Sequence, residues 1–313
     1  MDKEIVYLTG LPRSGSTLIS NLLAVHSDVA ATPSSPLCNI IQNMRRNWSD
    51  DPFLLAQLES NYDDVYNRLG RSVVSFMQAW SSDDNAPAPV VVDKNRGWLA
   101  CVEFLRAIQP NFKMIVCLRN IEAIYGSIEK RHRNTLLLDF PDHMEHNLVD
   151  VRAKQLFDDG GIIGNPLKCI YNIGDVPDIA AHLYYLRFED LLEKPQQVMD
   201  SVFKWLGLES VKIDFENIEQ VTFETDAFYR HKYPHSIGSK LDLPKEQPIS
   251  PRIVNTMRER FEWFYTSYYP EKVPTIRQQR TVGKVGASVA KAADGLDQDT
   301  IAQLEQAIED EIK

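Results

Sequence analysis

Gly10, Gly15, Ser16 and Thr17 fall within the run Leu8-Thr9-Gly10-Leu11-Pro12-Arg13-Ser14-Gly15-Ser16-Thr17-Leu18-Ile19, and their spacing suits a loop that cradles phosphate. The ATP- and GTP-binding loop reads G-x-x-x-x-G-K-[ST]. Gly10, Gly15 and Thr17 keep those positions, while Ser16 stands where the lysine belongs. Anion binding survives that exchange. Backbone N–H groups from Ser14 to Thr17 and a helix N-terminus attract an anion without any side-chain charge. The hydroxyls of Ser16 and Thr17 add donors and Arg13 adds a cation, so the loop can hold a 5′-phosphate.

Two further apolar runs end in charge. Pro89 to Asp93 (PVVVD) is followed at once by Lys94 and Asn95. A nucleotide triphosphatase needs Mg²⁺ held by the loop Ser/Thr and by a carboxylate after an apolar strand. Asp93 could be that carboxylate, but Lys94 beside it makes the position less inviting to a divalent cation. The run Met114 to Leu118 ends in Arg119, and Ser127 follows eight residues later, near the second turn of the next helix. The pair can share one anion. Two anion sites on one sheet point to a nucleotide with phosphates at both ends.

The elements that must carry these residues read as follows. Glu4–Thr9 is a β-rich run, and Thr17–Val25 is a helix with Leu18, Ile19, Leu22 and Leu23 at helical spacing. Pro89–Val92 is a buried-type strand, Trp98–Ile108 an amphipathic helix and Phe112–Leu118 a strand. A helix of about ten residues starts at Ile121. Leu183–Leu186 is a fourth strand. Pro195–Leu206 is a helix with proline in its first turn and Gly207 just past its end. Apolar strands alternating with helices indicate an α/β fold with a doubly wound parallel sheet, and ligands on such sheets sit at the carboxyl ends of the strands. Asn134 to Gly174 fits this scheme less well and reads as an insertion or lid on the acceptor side. The segment 281–295 reads as a linker, and 296–313 as an acidic helix with an apolar stripe through Ile301, Leu304, Ile308 and Ile312. That stripe suits internal packing or a homodimer contact.

With these motifs in order, the sequence resembles the sulfotransferases that use 3′-phosphoadenosine 5′-phosphosulfate (PAPS), and in motif layout the tyrosylprotein branch. Pro12-Arg13-Ser14-Gly15-Ser16-Thr17-Leu18 is similar to their 5′-phosphosulfate loop, and Arg119 through Ser127 to their 3′-phosphate motif. Asp93-Lys94-Asn95 falls where many members carry a lysine near the sulfuryl group. Leu186 to Leu208 resembles the segment before the family's last core helix, and His235 to Lys240 the late loop that closes over the nucleotide. The resemblance spans about residues 4–270. It implies a P-loop-like fold, PAPS as donor, 3′-phosphoadenosine 5′-phosphate (PAP) as product, no metal, and in-line transfer to a hydroxyl or amine. In that reading Lys94 stabilises the bridging or sulfuryl oxygens. Pro12, Arg13, Ser14, Gly15, Ser16 and Thr17 hold the 5′ side, Arg119 and Ser127 the 3′-phosphate, and Ser236, Gly238 and Lys240 cover the nucleotide.

The family's bases are absent. The tyrosylprotein branch uses a glutamate shortly after the first helix, where this chain has Ala31-Thr32-Pro33-Ser34-Ser35-Pro36. Small-molecule members use a histidine near the second strand, where this chain has Asn95-Arg96-Gly97. Asp93 and His26 are candidates on position alone, with orientation of the Lys94 loop and packing at the helix end as their other readings. His143 and His146 lack the further ligands a metal needs. Two other functions stay open: a P-loop kinase or NTPase with a degenerate loop, and a non-catalytic nucleotide-binding module.

Composition sets outer limits. The chain has 313 residues, 43% of them hydrophobic, enough for one large domain or two small ones. A formal charge of −10 argues against nucleic acid as a partner; the resemblance implies a small-molecule or peptide acceptor. The first ten residues carry no long apolar run, so no leader or membrane span is expected there. Cys38, Cys101, Cys117 and Cys169 are scattered without a C-x-x-C, and read as free thiols of a reducing, cytoplasmic setting.

Overall fold

β1 (Glu4–Gly10) is buried from Ile5 onward, because every residue after Glu4 is apolar, small or able to bond within the sheet. The computed structural model describes residues 3–82, 88–134, 148–174, 176, 178–222, 224–225, 234–235, 237–242 and 248–272. β1 is the middle strand of a five-stranded, all-parallel sheet. Its neighbours are β3 (Val90–Lys94) on one side and β4 (Lys113–Leu118) on the other, with β2 (Val29–Ser34) and β5 (Leu183–Arg187) at the two edges. The register sets Leu8 beside Lys94 and Gly10 beside Cys117. The carboxyl ends of β3, β1 and β4 therefore lie side by side and bring Lys94, the glycine loop and Arg119 to the carboxyl end of the sheet.

Side chains alternate along a strand. Val6, Leu8, Val92, Ile115 and Cys117 face a core that α1 (Ser16–Leu23) covers with Ile19, Leu22 and Leu23, and that α10 (Pro195–Leu206) covers with Met199, Val202, Phe203 and Leu206. Tyr7 faces the other way, 4.6 Å from the ring of Trp98 and 6.4 Å from that of Phe112. α10 ends as its sequence reads. Gly207 takes φ 83°, and its N–H and that of Leu208 return to the carbonyls of Lys204 and Phe203, a Schellman close.

β2 was not legible in the sequence. Ala30, Ala31 and Pro33 carry little strand preference, and an edge strand tolerates them. Pro33 has no N–H for the ladder, and the register slips between Ala31 and Ser34. Thr32 fills the gap: its hydroxyl donates to the Val92 carbonyl at 3.1 Å and accepts from the Lys94 N–H at 3.2 Å. Three helices follow that the sequence reading left unassigned: α2 (Leu37–Asp50), α3 (Pro52–Ser60) and α4 (Tyr62–Ser81).

The expected helix 98–108 begins instead as a 3₁₀ turn, Arg96–Cys101, before α5 (Val102–Ile108). The Asn95 side chain caps it by accepting from the Gly97 N–H at 2.7 Å, and the Trp98 indole is drawn inward to Asp93. α6 (Ile121–Asn134) is capped by Asn120, whose side chain accepts from the Glu122 N–H at 2.8 Å. The described part of the presumed insertion holds α7 (Val149–Phe157) and α8 (Gly164–Ile173). α9 (Phe188–Glu193) follows β5 directly.

The chain divides into two compact units, 1–257 and 258–313. α11 (Pro251–Arg260) spans the boundary. In the second unit α12 (Glu262–Tyr268) gathers Trp263, Tyr265, Tyr268 and Tyr269 around Phe264, with ring centroids 5.3–6.0 Å from it. The expected linker and C-terminal helix lie outside the described residues, as do His143 and His146.

α7 is fastened to α6 by a buried ion pair. Arg152 gives two hydrogen bonds to the Glu129 carboxylate, and both side chains are about 95% buried (4% and 5% exposed). A carboxylate removed from such a pair leaves a desolvated cation behind. Glu129→Ala should therefore cost about 3–5 kcal/mol in urea unfolding, whereas the exposed pair Arg68–Asp64 should cost under about 1 kcal/mol when Asp64 is replaced by alanine.

Candidate active site

The loop between β1 and α1 is shaped by two glycines that nothing else can replace. Gly10 takes φ 135°, and a Cβ there would stand 2.2 Å from the Cys117 carbonyl oxygen. Gly15 takes φ 83°, and its Cβ would stand 2.5 Å from the Phe188 ring. Between them Arg13 itself adopts a left-handed conformation, φ 57°. The Ser14 hydroxyl donates to the Leu11 carbonyl at 2.6 Å. The Leu11 N–H is held by the Cys117 carbonyl at 3.0 Å, and the Arg13 carbonyl by Arg119 Nη1 at 2.7 Å. The loop is thus bolted to the end of β4 at both its entry and its strained residue.

Arg119 does more than contact a carbonyl. Its guanidinium lies over the Phe188 ring at 4.9 Å, the same ring that packs under Gly15. Ser127 sits on α6, and its Oγ is 3.5 Å from Arg13 Nε. Arg13, Arg119 and Ser127 therefore form one cluster in which the expected 5′ and 3′ residues touch. Phe188 escaped the sequence reading, although it stands in the Leu186-Arg187-Phe188-Glu189 segment. Its neighbour Glu189 accepts from the Asn120 N–H at 3.0 Å and so fixes the turn that follows Arg119.

Lys94 reaches the loop from β3. Its Nζ donates to Thr17 Oγ1 at 3.1 Å, and the residue is only 4% exposed. It also lies close to Cys117, whose thiol pKa is pushed up by burial and pulled back by the Lys94 ammonium. A buried ammonium beneath the first turn of α1 is a rare and costly arrangement, and it occupies the space beside the loop that a P-loop lysine at position 16 would serve.

Asp93 is turned away from this group. As the neighbour of Lys94 on β3 it projects from the opposite face, where Oδ1 accepts from the Trp98 indole N–H at 2.7 Å. The residue is 1% exposed, and burial raises its pKa above 3.8 against the hydrogen bonds of Ser35 and Trp98. His26 is also outside the cluster. It follows the C-terminal end of α1, away from the loop, packs with its ring tilted 5.4 Å from that of Phe203 and accepts the Asp28 N–H on Nδ1 at 3.1 Å. Of the two positional candidates for a base, Asp93 shapes the turn after β3 and His26 caps and packs; neither faces Lys94.

The late segment is anchored through a residue the sequence reading missed. Asn21, buried on α1, donates to the Thr17 carbonyl at 2.7 Å and to Thr222 Oγ1 at 3.2 Å, and accepts the N–H groups of Val221 and Thr222 at 2.5 and 3.1 Å. Residues 237–242 run back along 215–220, with Ile218 N–H bonded to Ser239 and Leu241 N–H to Phe215. Gly238 and Lys240 are exposed, and the Lys240 ammonium pairs with Glu216 at the surface. Ser236 lies outside the described residues.

The donor set suits a phosphate-bearing anion. Two arginines, one lysine, three hydroxyls (Ser16, Thr17, Ser127) and a helix N-terminus lie at the carboxyl end of the sheet, and the loop is kept open by glycine rather than filled by side chains.

Residues 6–159 match the family model described as Sulfotransferase family. The chain is 26% identical over 234 residues to nodulation protein NoeE of Sinorhizobium fredii (strain NBRC 101917 / NGR234), covering 70% of this chain and 54% of that protein. It thus spans about half the length of that relative. It is 19% identical over 265 residues to a putative protein-tyrosine sulfotransferase of Caenorhabditis briggsae, covering 84% of this chain and 81% of the other. Among solved structures, a sulfotransferase from Alicyclobacillus acidocaldarius aligns with a TM-score of 0.48 at 12% identity, over 84% of this chain and 92% of that one. Among the described residues, no helix is long and apolar enough to cross a membrane.

The placement of Asp93 makes a pH-dependent claim. Its folded pKa lies above the unfolded value of 3.8, so the folded state binds the proton more tightly. Its contribution is greatest below the unfolded pKa and is lost as pH rises through the folded pKa. Asp93→Asn keeps the acceptor for Trp98 and removes the charge. Urea unfolding from pH 4 upward should show the variant gaining on the parent as pH rises, whereas Asp93→Ala, which strands the indole N–H, should cost about 1–3 kcal/mol at every pH.

Proposed function

The chain belongs to the sulfotransferase family, and from that premise we propose that it moves a sulfuryl group from PAPS to a hydroxyl or amine acceptor by metal-independent in-line transfer. The observation that carries the reading is the buried Lys94 ammonium, 3.1 Å from Thr17 Oγ1 at the start of α1. PAPS supplies an activated sulfuryl group on a phosphate that leaves readily. What the protein must supply is positioning and positive potential. Lys94 and the first-turn N–H groups of α1 provide that potential without reorganisation, and preorganised donors of this kind are commonly the largest single contribution to catalysis. Arg13 and the loop bind the 5′ side, and Arg119 with Ser127 the 3′-phosphate.

The kinase or NTPase alternative is weakened by Asp93. The carboxylate that would face Mg²⁺ at the end of this strand is bonded to Trp98 on the far side of the sheet. For the acceptor, we assign the cavity of about 570 Å³ lined by Arg96 and Gly97, two and three residues after Lys94, and by Gln155, Asp158 and Asn165 of the 148–174 region. This is the part of the chain expected to form the acceptor side.

Three outcomes test the proposal. PAPS-dependent sulfation of a phenol or amine panel should persist in excess EDTA; a strict Mg²⁺ requirement with ATP hydrolysis would overturn the reading. Lys94→Ala should lower kcat by about 10²–10³ with a much smaller change in PAP affinity. Arg119 also supports the Arg13 carbonyl, so Arg119→Ala should weaken both PAP and adenosine 5′-phosphosulfate in calorimetry, PAP by about 2–5 kcal/mol. The loss should be at least about tenfold greater for PAP, because only PAP carries the 3′-phosphate. Equal losses would remove the arginine from 3′-phosphate recognition.

A further inference from the structure

Cys38 and Cys101 are 63 positions apart in sequence, yet their sulfurs lie 3.8 Å from each other in the core. Both residues are buried, at 0% and 4% exposure. A single side chain serves the two: Gln42 Nε2 is 3.3 Å from Cys38 Sγ and 3.1 Å from Cys101 Sγ. We propose that this pair is an oxidisable dithiol, a modification site at which a hydroperoxide closes a Cys38–Cys101 disulfide behind the Lys94 turn.

Position gives the pair its consequence. Cys38 lies in the first turn of α2, and Cys101 ends the 3₁₀ turn that follows β3. Between them run the bonds that hold the end of β3: Ser35 N–H to the Lys94 carbonyl at 2.8 Å, and Asn95 Nδ2 to the Ser35 carbonyl at 2.6 Å. A Cβ on Gly97 would stand 2.9 Å from Cys38 Sγ, so the turn is already in contact with the thiol. A disulfide has an S–S length of about 2.05 Å, so the sulfurs must approach by roughly 1.8 Å. That movement draws α2 toward the turn that Asn95 caps and shifts the backbone from which Lys94 projects.

The chemistry has a defined order. Either sulfur can donate in this contact; with Cys38 as the donor, that bond, Gln42 and the Arg45 guanidinium lower the Cys101 pKa to about 7 against the opposing pull of burial. The same hydrogen bond, with burial, raises that of Cys38. Cys101 is accordingly the thiolate that reacts first. It attacks hydrogen peroxide: an S–O bond forms, the O–O bond breaks, and hydroxide leaves and takes up a proton as water, giving Cys101 sulfenic acid. The Cys38 sulfur then attacks the Cys101 sulfur. An S–S bond forms, the S–O bond breaks, and the second water carries off the Cys38 proton. Two thiols give two electrons to one peroxide, and a dithiol reductant reverses the change by exchange.

Full-length protein treated with hydrogen peroxide should lose two of its four thiols on quenching and titration in denaturant. The intact mass should fall by about 2 Da, and a peptide joining Cys38 to Cys101 should appear and vanish with dithiothreitol. Cys38→Ser should abolish that cross-link and stop at sulfenic acid on Cys101. Gln42→Leu, which leaves both cysteines in place, should slow closure about tenfold by removing a hydrogen bond to the thiolate. A cross-link to Cys169 or Cys117 instead, sulfinic acid with no cross-link, or no loss of thiols at peroxide levels that oxidise free cysteine would overturn the proposal. These readouts do not depend on the sulfotransferase reading. A second arm does: sulfation by the closed protein should fall at least tenfold in kcat and return with dithiothreitol. A disulfide that forms while sulfation stays constant would leave the dithiol standing and overturn its effect on Lys94.

Discussion

The backbones of β1 and β4 approach so closely at Gly10 that a side chain there would overlap the Cys117 carbonyl. Much of the site follows from that contact. With no Cβ in the way, the Leu11 N–H can take up the Cys117 carbonyl, and the chain leaves the sheet along β4 rather than rising free of it. This direction sets the Arg13 carbonyl against Arg119 and allows Gly15 to settle on Phe188. The residues read as two separate phosphate contacts, at the N-terminus and after β4, are mechanically one object. The strain of a left-handed arginine is tolerated because its carbonyl has a charged donor and the glycines on either side absorb the turn.

A second organising element is the alternation of β3. Two adjacent charged residues, Asp93 and Lys94, are both buried, yet they do not neutralise each other because the pleat sends them to opposite faces. Lys94 joins α1 and the anion loop. Asp93 joins Trp98, Tyr7 and the turn that follows, where the burial of Tyr7 and, after it, the Asp93 charge raise the Tyr7 pKa. One strand end thus separates binding chemistry on one face from turn geometry on the other.

The sequence announced the parts of the fold whose signals are local. The loop, the apolar runs of β1, β3 and β4, and the proline-to-glycine bracket of α10 were all readable, α10 to the residue. β2 was not, because Ala30, Ala31 and Pro33 signal nothing and the strand exists only because β3 offers an edge and Thr32 mends the ladder. The start of the helix after β3 was misplaced for a similar reason: the 3₁₀ turn is imposed by Asn95 and by the pull of Asp93 on Trp98. At the candidate site, Lys94 and Arg119 were visible because charge at the end of an apolar strand is conspicuous, Arg13 because it lies in the glycine loop and Ser127 through its spacing from Arg119. Phe188 and Asn21 were invisible, since their roles come from contacts with residues 173 and 200 positions away (Gly15 and Val221). The close approach of Cys38 and Cys101 was hidden in the same way, and their scattered spacing pointed to isolated thiols.

Asn21 has used its full bonding capacity: two N–H donors given, two lone pairs filled. Every replacement of similar size breaks this arithmetic. Aspartate lacks the donors and would set a negative charge against the Thr17 carbonyl, while leucine would take from the Val221 and Thr222 N–H groups the acceptor they share. A position so completely committed also joins what it touches. The first helix and the segment at 221–222 are joined by three of those bonds, all made by one side chain, so separating them gives up the three together. The same side chain also holds the carbonyl of Thr17, whose hydroxyl meets Lys94, so the attachment of 221–222 and the order of that helix turn are coupled through one residue.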